Sequence, residues 1–227
     1  MNGHFDQNTH TLLPKYRPLH ISLLRQVTEA LWGMQSRNLI HRDVKADNVL
    51  VKLVRGVHEV RLTDFAATVT IGKLINDSAG SYPPPEIQQA LEQNIHITLS
   101  KLSAAEKDKY DALVVKWKTL HLNRAEIKDN QNTYLHKWLP NISLSTEVDA
   151  WALGVLICQT MHDLPNLIQM MQWDSFAWEI KVARQTLVDL YLHPEEDLVD
   201  QIAVKLLAKQ MERISIQEAR DLFQDAT

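Results

Sequence analysis

The 227-residue sequence has a single cysteine, Cys158, and six glycines. One thiol excludes an internal disulfide framework and fits a reducing compartment, cytoplasmic or otherwise intracellular. The shortage of glycine leaves no G-x-G-x-x-G and no other glycine-rich loop for gripping phosphates. Long apolar runs are missing too. The most extended, AWALGVLIC from Ala150 to Cys158, is about half of what a bilayer span requires, so no membrane span is expected. The N-terminal MNGHFDQNTH lacks the basic start and apolar stretch of a secretory signal. Positive charge is not in excess. The formal net charge is −4, which gives no bulk drive toward nucleic acid or an anionic membrane.

What remains is ordinary globular material, 45% hydrophobic and 23% charged, in a length that suits one large domain. The coarse pattern is mainly α with small β-hairpins. Leu23, Leu24, Val27, Ala30, Leu31 and Met34 follow helical spacing and predict a helix from Ile21 to Asn38, ending near Ser-Arg-Asn with a basic residue in its last turn. Short strands are expected at Leu39–Ile40, Val49–Leu53 and Val60–Leu62, with Gly56 turning a hairpin between the last two. SAGSYPPPE, Ser78 to Glu86, reads as a loop because consecutive prolines fit neither a helix interior nor a central strand. Residues 87–144 read as mostly helical, with Tyr110, Leu113, Val114, Trp117 and Leu120 on one stripe. Thr146 to Met161 is apolar on nearly every face and predicts a buried central helix, and amphipathic helices are expected from there to Phe223. Cys158 lies in that apolar helix and reads as a core residue rather than a nucleophile.

The chemistry gathers in LIHRDVKADNVLV, Leu39 to Val51, and in VRLTDFA, Val60 to Ala66. Both place acidic residues at the ends of short strands, where a core holds the loop from either side. Phosphoryl transfer asks a protein for an oriented hydroxyl, metal-bridged phosphates and a cation near the moving charge. Asp43 can orient or accept the proton of a hydroxyl, and Lys45 can reach a transferring phosphate. Asn48 and Asp64 offer the oxygen ligands that Mg²⁺ prefers.

These segments resemble the protein kinases. HRDVKADN matches the catalytic loop H-R-D-x-K-x-x-N at every defining position. DFA at 64–66 is similar to D-F-G with its last residue changed, and PPE at 84–86 is similar to A-P-E. EVDAWALGVL, Glu147 to Leu156, resembles the central helix of the kinase C-terminal lobe. ERISIQEARDLF, Glu212 to Phe223, resembles a late helix with its preceding Arg. The motifs occur in family order across the chain, except over 87–144, which has no obvious counterpart. MNGHFDQN looks like a hinge segment, and no V-A-I-K-like strand is found. The resemblance therefore implies a single kinase-like C-terminal lobe over 1–227, with an atypical helical insert at about 87–144 and the N-terminal lobe absent.

The resemblance implies ATP and Mg²⁺ as cofactors and a protein Ser/Thr hydroxyl as acceptor, since Lys45 after the Asp is closer to the serine/threonine kinases than to the tyrosine kinases. It implies Asp43 and Lys45 as catalytic residues. Asn48 and Asp64 become metal and nucleotide ligands, and Leu50 a floor beneath the adenine. His41 packs under Phe65, and Asp149 holds the backbone of the catalytic loop. Glu86 and Arg213 form a buried ion pair. Arg42 either receives a phosphate from Thr68, Thr70, Ser78 or Ser81, or satisfies loop carbonyls. Ala66 in place of Gly restricts positive φ and so any switching of this motif. Three readings stand. The chain is a serine/threonine-type kinase whose missing lobe comes from a partner or another arrangement. Or it is a pseudokinase serving as a binding or scaffold module. Or it is a truncated, inactive fragment.

Overall fold

The computed structural model describes residues 12–75, 142–162 and 194–226, with 4, 84–87, 103–105, 107, 108 and 192. Helix α1, Arg17–Gln35, follows a short 3-10 turn at Pro14–Tyr16. It starts ahead of the expected Ile21 because Pro18 sits in its first turn, where a proline removes no helical hydrogen bond. It also stops ahead of the expected Asn38. Asn38 has φ 63° and donates its N–H to the Gln35 carbonyl at 2.9 Å, an αL stop that Asn tolerates. Arg37 therefore lies past the helix and not in its last turn. Its Nη1 reaches back to the Gly33 carbonyl at 2.6 Å and satisfies an end group. Ile21, Leu24, Val27, Thr28 and Leu31 form the buried stripe.

After α1 comes β1, Leu39–Ile40, then the antiparallel pair β2, Val49–Val54, and β3, Val57–Leu62. The hairpin turn is Arg55-Gly56 with φ 49° and 82°, the double positive φ that a two-residue turn of this twist requires. Each strand runs further toward the turn than its apolar residues alone suggest. One face of the hairpin packs Val49, Val60 and Leu62 against the main core. Gln26 of α1 grips the outer edge of β3. Its Nε2 donates to the His58 carbonyl at 2.9 Å, and its Oε1 accepts from the Val60 N–H at 3.0 Å. Strand β4, Val69–Thr70, pairs with β1, and β5, Leu74–Ile75, pairs with β6, Ile142–Ser143.

The centre of the fold is α2, Glu147–Met161, with buried residues on all its faces from Val148 to Cys158. It packs on α1 and on α3, Leu198–Leu206. Asp197 caps α3 by accepting the N–H of Val199 at 2.8 Å, and its carboxylate also pairs with Arg17. The last helix, α4, Ile216–Asp225, opens on a capping box. Ser215 and Glu218 each bond the other's backbone N–H, and the bonds from Ser215 hold the Glu218 carboxyl below its usual range. Ile216, Ala219 and Phe223 of α4 enter the main core. A smaller cluster of Ile40, Val69, Ile87, Leu144 and Val148 joins β1 and β4 to the start of α2. The described part is thus helix-rich with small two-stranded antiparallel sheets. Nearly all of the segment 87–144, with its Tyr110–Trp117 stripe, lies outside the described residues, as do the helices expected at 163–191.

Helices α2 and α3 touch so closely that Gly154 has no room for a side chain. A Cβ there would stand 2.9 Å from Leu207 Cγ and 3.0 Å from Leu206 Cβ. Gly154→Ala should therefore destabilise the protein by about 1–3 kcal/mol, against the usual gain from placing Ala in a helix. Urea unfolding of the two proteins measures the difference. An unchanged or higher midpoint would show that the helices separate at little cost.

Candidate functional site

Residues 41–48 connect β1 to β2, and their backbone is held from beneath by α2. Asp149 is fully buried. Its Oδ2 accepts the N–H of His41 at 2.8 Å and its Oδ1 that of Arg42 at 2.9 Å. Burial pushes the Asp149 pKa up, and the two N–H donors pull it back. Arg42 has φ 71°, an uncommon backbone state for a side chain of this size. Its guanidinium folds inward, and Nη1 donates to the Ala67 carbonyl at 3.2 Å. Of the two roles open for Arg42, the structure displays the one toward a loop carbonyl. Of the phosphate donors considered for the other role, Ser78 and Ser81 lie outside the described residues.

His41 is fully buried, with its ring 5.3 Å from that of Phe65. Nε2 faces the Thr63 carbonyl at 3.1 Å, and Nδ1 faces the Asp43 N–H at 3.3 Å. A carbonyl can only accept and an amide can only donate, so the pairing places the ring proton on Nε2. The imidazole thereby joins the catalytic-type loop to the strand end that carries Asp64.

Asp43 projects from this frame into a partly open position. Its Oδ2 accepts from Lys45 Nζ at 2.7 Å and from Asn48 Nδ2 at 2.9 Å, and the same Nδ2 reaches the Asp43 carbonyl at 2.8 Å. Asn48 is buried at the end of the 3-10 turn Ala46–Asn48. With its amide nitrogen committed to Asp43, the oxygen Oδ1 is the atom it has left for a cation. Asp64 is exposed, with φ 60°, and caps the turn Phe65–Ala67 by accepting the Ala66 N–H at 3.4 Å. Leu50 is 57% exposed on β2. So Asp43, Lys45 and Asn48 converge directly, His41 links them to the Asp64 strand end, and Leu50 stands on the neighbouring hairpin surface.

Asn48 and Asp64 suit Mg²⁺ in kind, being oxygen donors. Among the described residues no group of three or more His, Cys, Asp or Glu side chains is placed to hold a metal alone. Cys158 offers no competing chemistry. It is buried, and burial, with Asp200 adding to it, pushes the thiol up to about 12.

Glu86 and Arg213 stand 127 positions apart in sequence and meet side on, Nη1 to Oε1 at 2.5 Å and Nη2 to Oε2 at 3.2 Å. Arg213 also donates to the Ala208 carbonyl and lies with its guanidinium 5.0 Å from the Trp151 ring centre. Trp151 under the Arg, the Thr63 carbonyl on His41 and the inward turn of Asn48 toward Asp43 are three contacts that sequence reading missed. Only the first left a trace, as the Trp that follows Asp149 by two in the central helix.

Residues 10–88 match the model of the protein tyrosine and serine/threonine kinase family. Over 69 residues the chain is 39% identical to the mouse serine/threonine-protein kinase SBK1, covering 30% of this chain and 16% of that protein. Over 64 residues it is 39% identical to the serine/threonine-protein kinase meng-po of Drosophila melanogaster, covering 27% of this chain and 14% of that protein. The matched stretch is thus no more than about a sixth of either relative. Over this segment the chain is similar to members of the protein kinase superfamily.

Two predictions follow from the frame around the loop. Asp149→Asn replaces one acceptor by an NH₂ that faces an N–H. It should cost about 3 kcal/mol or more, since a buried backbone donor loses its partner. Chemical denaturation reads this directly, and a loss below about 1 kcal/mol would mean that the loop does not depend on the carboxylate. Arg213→Ala and Glu86→Ala should each cost about 3–5 kcal/mol, because each strands a charge in a largely buried place. The double variant should lose less than the sum of the two. Additive losses in such a cycle would show that the two side chains act separately.

Proposed function

We propose that this chain carries the catalytic-loop half of a kinase that transfers a phosphoryl group from ATP to a Ser or Thr hydroxyl of a protein. The observation that supports this best is Asp43, clasped by Lys45 and Asn48 on a loop whose backbone is fixed by Asp149. Such a carboxylate is held ready to orient an acceptor hydroxyl and draw off its proton. Lys45 sits beside it as the cation for the charge that develops on the transferred group. Asn48 Oδ1 and the Asp64 carboxylate would hold Mg²⁺, which when bound would neutralise phosphate charge. Leu50 would lie against the adenine. The elements that grip the phosphates from above have no counterpart among these motifs, and in this reading they come from a further segment or a partner chain.

A second reading has its own support. Asp64 is spent on capping its own turn and is exposed, which suits a kinase-like binding or scaffold module that turns nothing over.

Calorimetry with ATP and Mg²⁺ separates the two. On the first reading ATP binds weakly, in the millimolar range, because one face of the nucleotide is uncovered, and the binding depends on Mg²⁺. Asp64→Asn removes that dependence. Where phosphotransfer is measured, with any covering partner present, Asp43→Asn lowers kcat by about 100-fold or more. Activity that survives both substitutions would eliminate this mechanism, and nucleotide binding indifferent to Mg²⁺ would favour the scaffold.

A further inference from the structure

The β2–β3 hairpin has two edges with opposite fates. The two-residue turn makes Val54 and Val57 a hydrogen-bonded pair, so in this register bonding alternates back along the ladder. Lys52 with Glu59 and Leu50 with Arg61 are then bonded pairs, and the Thr63 N–H on the Asn48 carbonyl at 3.0 Å continues the same alternation. Val49, Val51 and Leu53 on β2 therefore turn their backbone groups away from β3. On β3 it is His58, Val60 and Leu62 that do so. Gln26 verifies the assignment, because it bonds His58 O and Val60 N from outside the sheet. The β3 edge is thus covered by α1. On the β2 edge the Val49 N–H closes the preceding 3-10 turn. Among the described residues, no hydrogen bond engages the Val49 carbonyl or the backbone groups of Val51 and Leu53 on that side.

Exposed apolar side chains collect at the same place. Among the described residues, four of the six large hydrophobic side chains that stand out into solvent belong to this hairpin: Leu50, Val51, Leu53 and Val57. An open, apolar strand edge is a template for another strand. The residues of β2 also fit a copy of themselves. With a two-fold axis at Val51, Val51 exchanges both backbone bonds with its mate, and each Leu53 N–H reaches the other copy's Val49 carbonyl. The Val49 N–H stays in its 3-10 turn, so this register leaves the Leu53 carbonyl of each copy to water. Side chains agree with the backbone. On one face Val51 meets Val51 and Val49 meets Leu53. On the other Leu50 meets Lys52, so the one charged residue of β2 is never placed opposite its own copy.

We propose that the β2 edge, Val49 to Leu53, is a homotypic docking site at which two copies of this chain join their hairpins into one four-stranded antiparallel sheet. The interface is one strand wide, so association is weak and visible only at raised concentration. It uses the strand edge and stands independently of any phosphotransfer activity.

The test uses the 227-residue chain. Sedimentation equilibrium over a concentration series should show monomer passing to dimer. Leu53→Lys sets a charge against the apolar Val49 of the other copy at a site already 61% exposed, and should abolish the rise in mass while leaving the unfolding midpoint unchanged. Val51→Pro removes an outward N–H and should do the same, since an edge position tolerates proline. Amide exchange at Val51 and Leu53 should slow as concentration rises. Mild oxidation supplies a second readout. With Cys158 buried, the thiol introduced by Val51→Cys is the accessible one and should form a disulfide-linked dimer, while that from Val57→Cys, on the far strand, should not. A mass that stays monomeric across the series would overturn the proposal. So would a dimer that survives Leu53→Lys, or equal cross-linking through positions 51 and 57.

Discussion

The N–H groups of His41 and Arg42 end on the two oxygens of one carboxylate, that of Asp149. Two adjacent amides can face the same way only if the backbone bends sharply, and Arg42 supplies the bend at φ 71°. That state costs roughly 1 kcal/mol or more for a residue with a long side chain. It persists because the alternative leaves two amide donors and an acid buried without partners, which costs more. Everything downstream in the loop inherits this geometry. The His41 ring is carried to the Thr63 carbonyl, Asp43 is turned outward, and Asn48 closes back on it.

Asp149 can hold the loop only as firmly as α2 is held. The helix has little polar surface of its own, so its position is set by packing. Gly154 lets α3 approach to contact, and Trp151 is covered by the Arg213 guanidinium. Arg213 is in turn fixed by Glu86 and by the Ala208 carbonyl. A chain of contacts thus runs from the segment before α4, through the centre of α2, to the loop that carries Asp43. Substitutions far from Asp43 can disturb it by loosening this chain, and their effect then appears as misplacement of the carboxylate rather than loss of a group.

The sequence made the strongly periodic parts legible. The α1 stripe, the all-apolar α2 and the Gly56 turn each carry a local signal, and each element lies where that signal places it, to within a few residues. The strands β4, β5 and β6 were not legible. Each is two residues long, and β1 and β5 find their partners only through distant chain, so no local pattern marks them. At the site, residue types and spacing brought Asp43, Lys45, Asn48 and Asp64 into view. Their mutual geometry was not in view, because spacing does not say that Asn48 spends its amide on Asp43 or that Asp64 caps its own turn. Gln26 is the clearest omission. A glutamine in the middle of an amphipathic helix reads as a solvated residue, and only the register of β3 shows that it replaces a strand.

At Ala66 the restriction on positive φ is met by placing the left-handed residue two positions earlier. The sequence leads one to expect that Ala66, in place of Gly, restricts positive φ and any switching of the segment DFA. The structure has a positive φ here, but it falls on Asp64 at 60°, and Ala66 sits inside the 3-10 turn Phe65–Ala67 with ordinary φ. Asp is among the side chains that tolerate this state, helped by a carboxylate that can bond its own following backbone. Ala66 N–H is the donor that does so. Relative to Gly, Ala lowers the conformational freedom of the competing states and favours the turn by about 0.5–1 kcal/mol. The substitution therefore does not strain the segment. It biases it toward the arrangement in which the Asp64 backbone is left-handed and its carboxylate is turned onto Ala66. Any conformation in which Asp64 faces a cation beside Asn48 must offset that bias, and the free energy for doing so would have to come from the ion and the phosphates themselves.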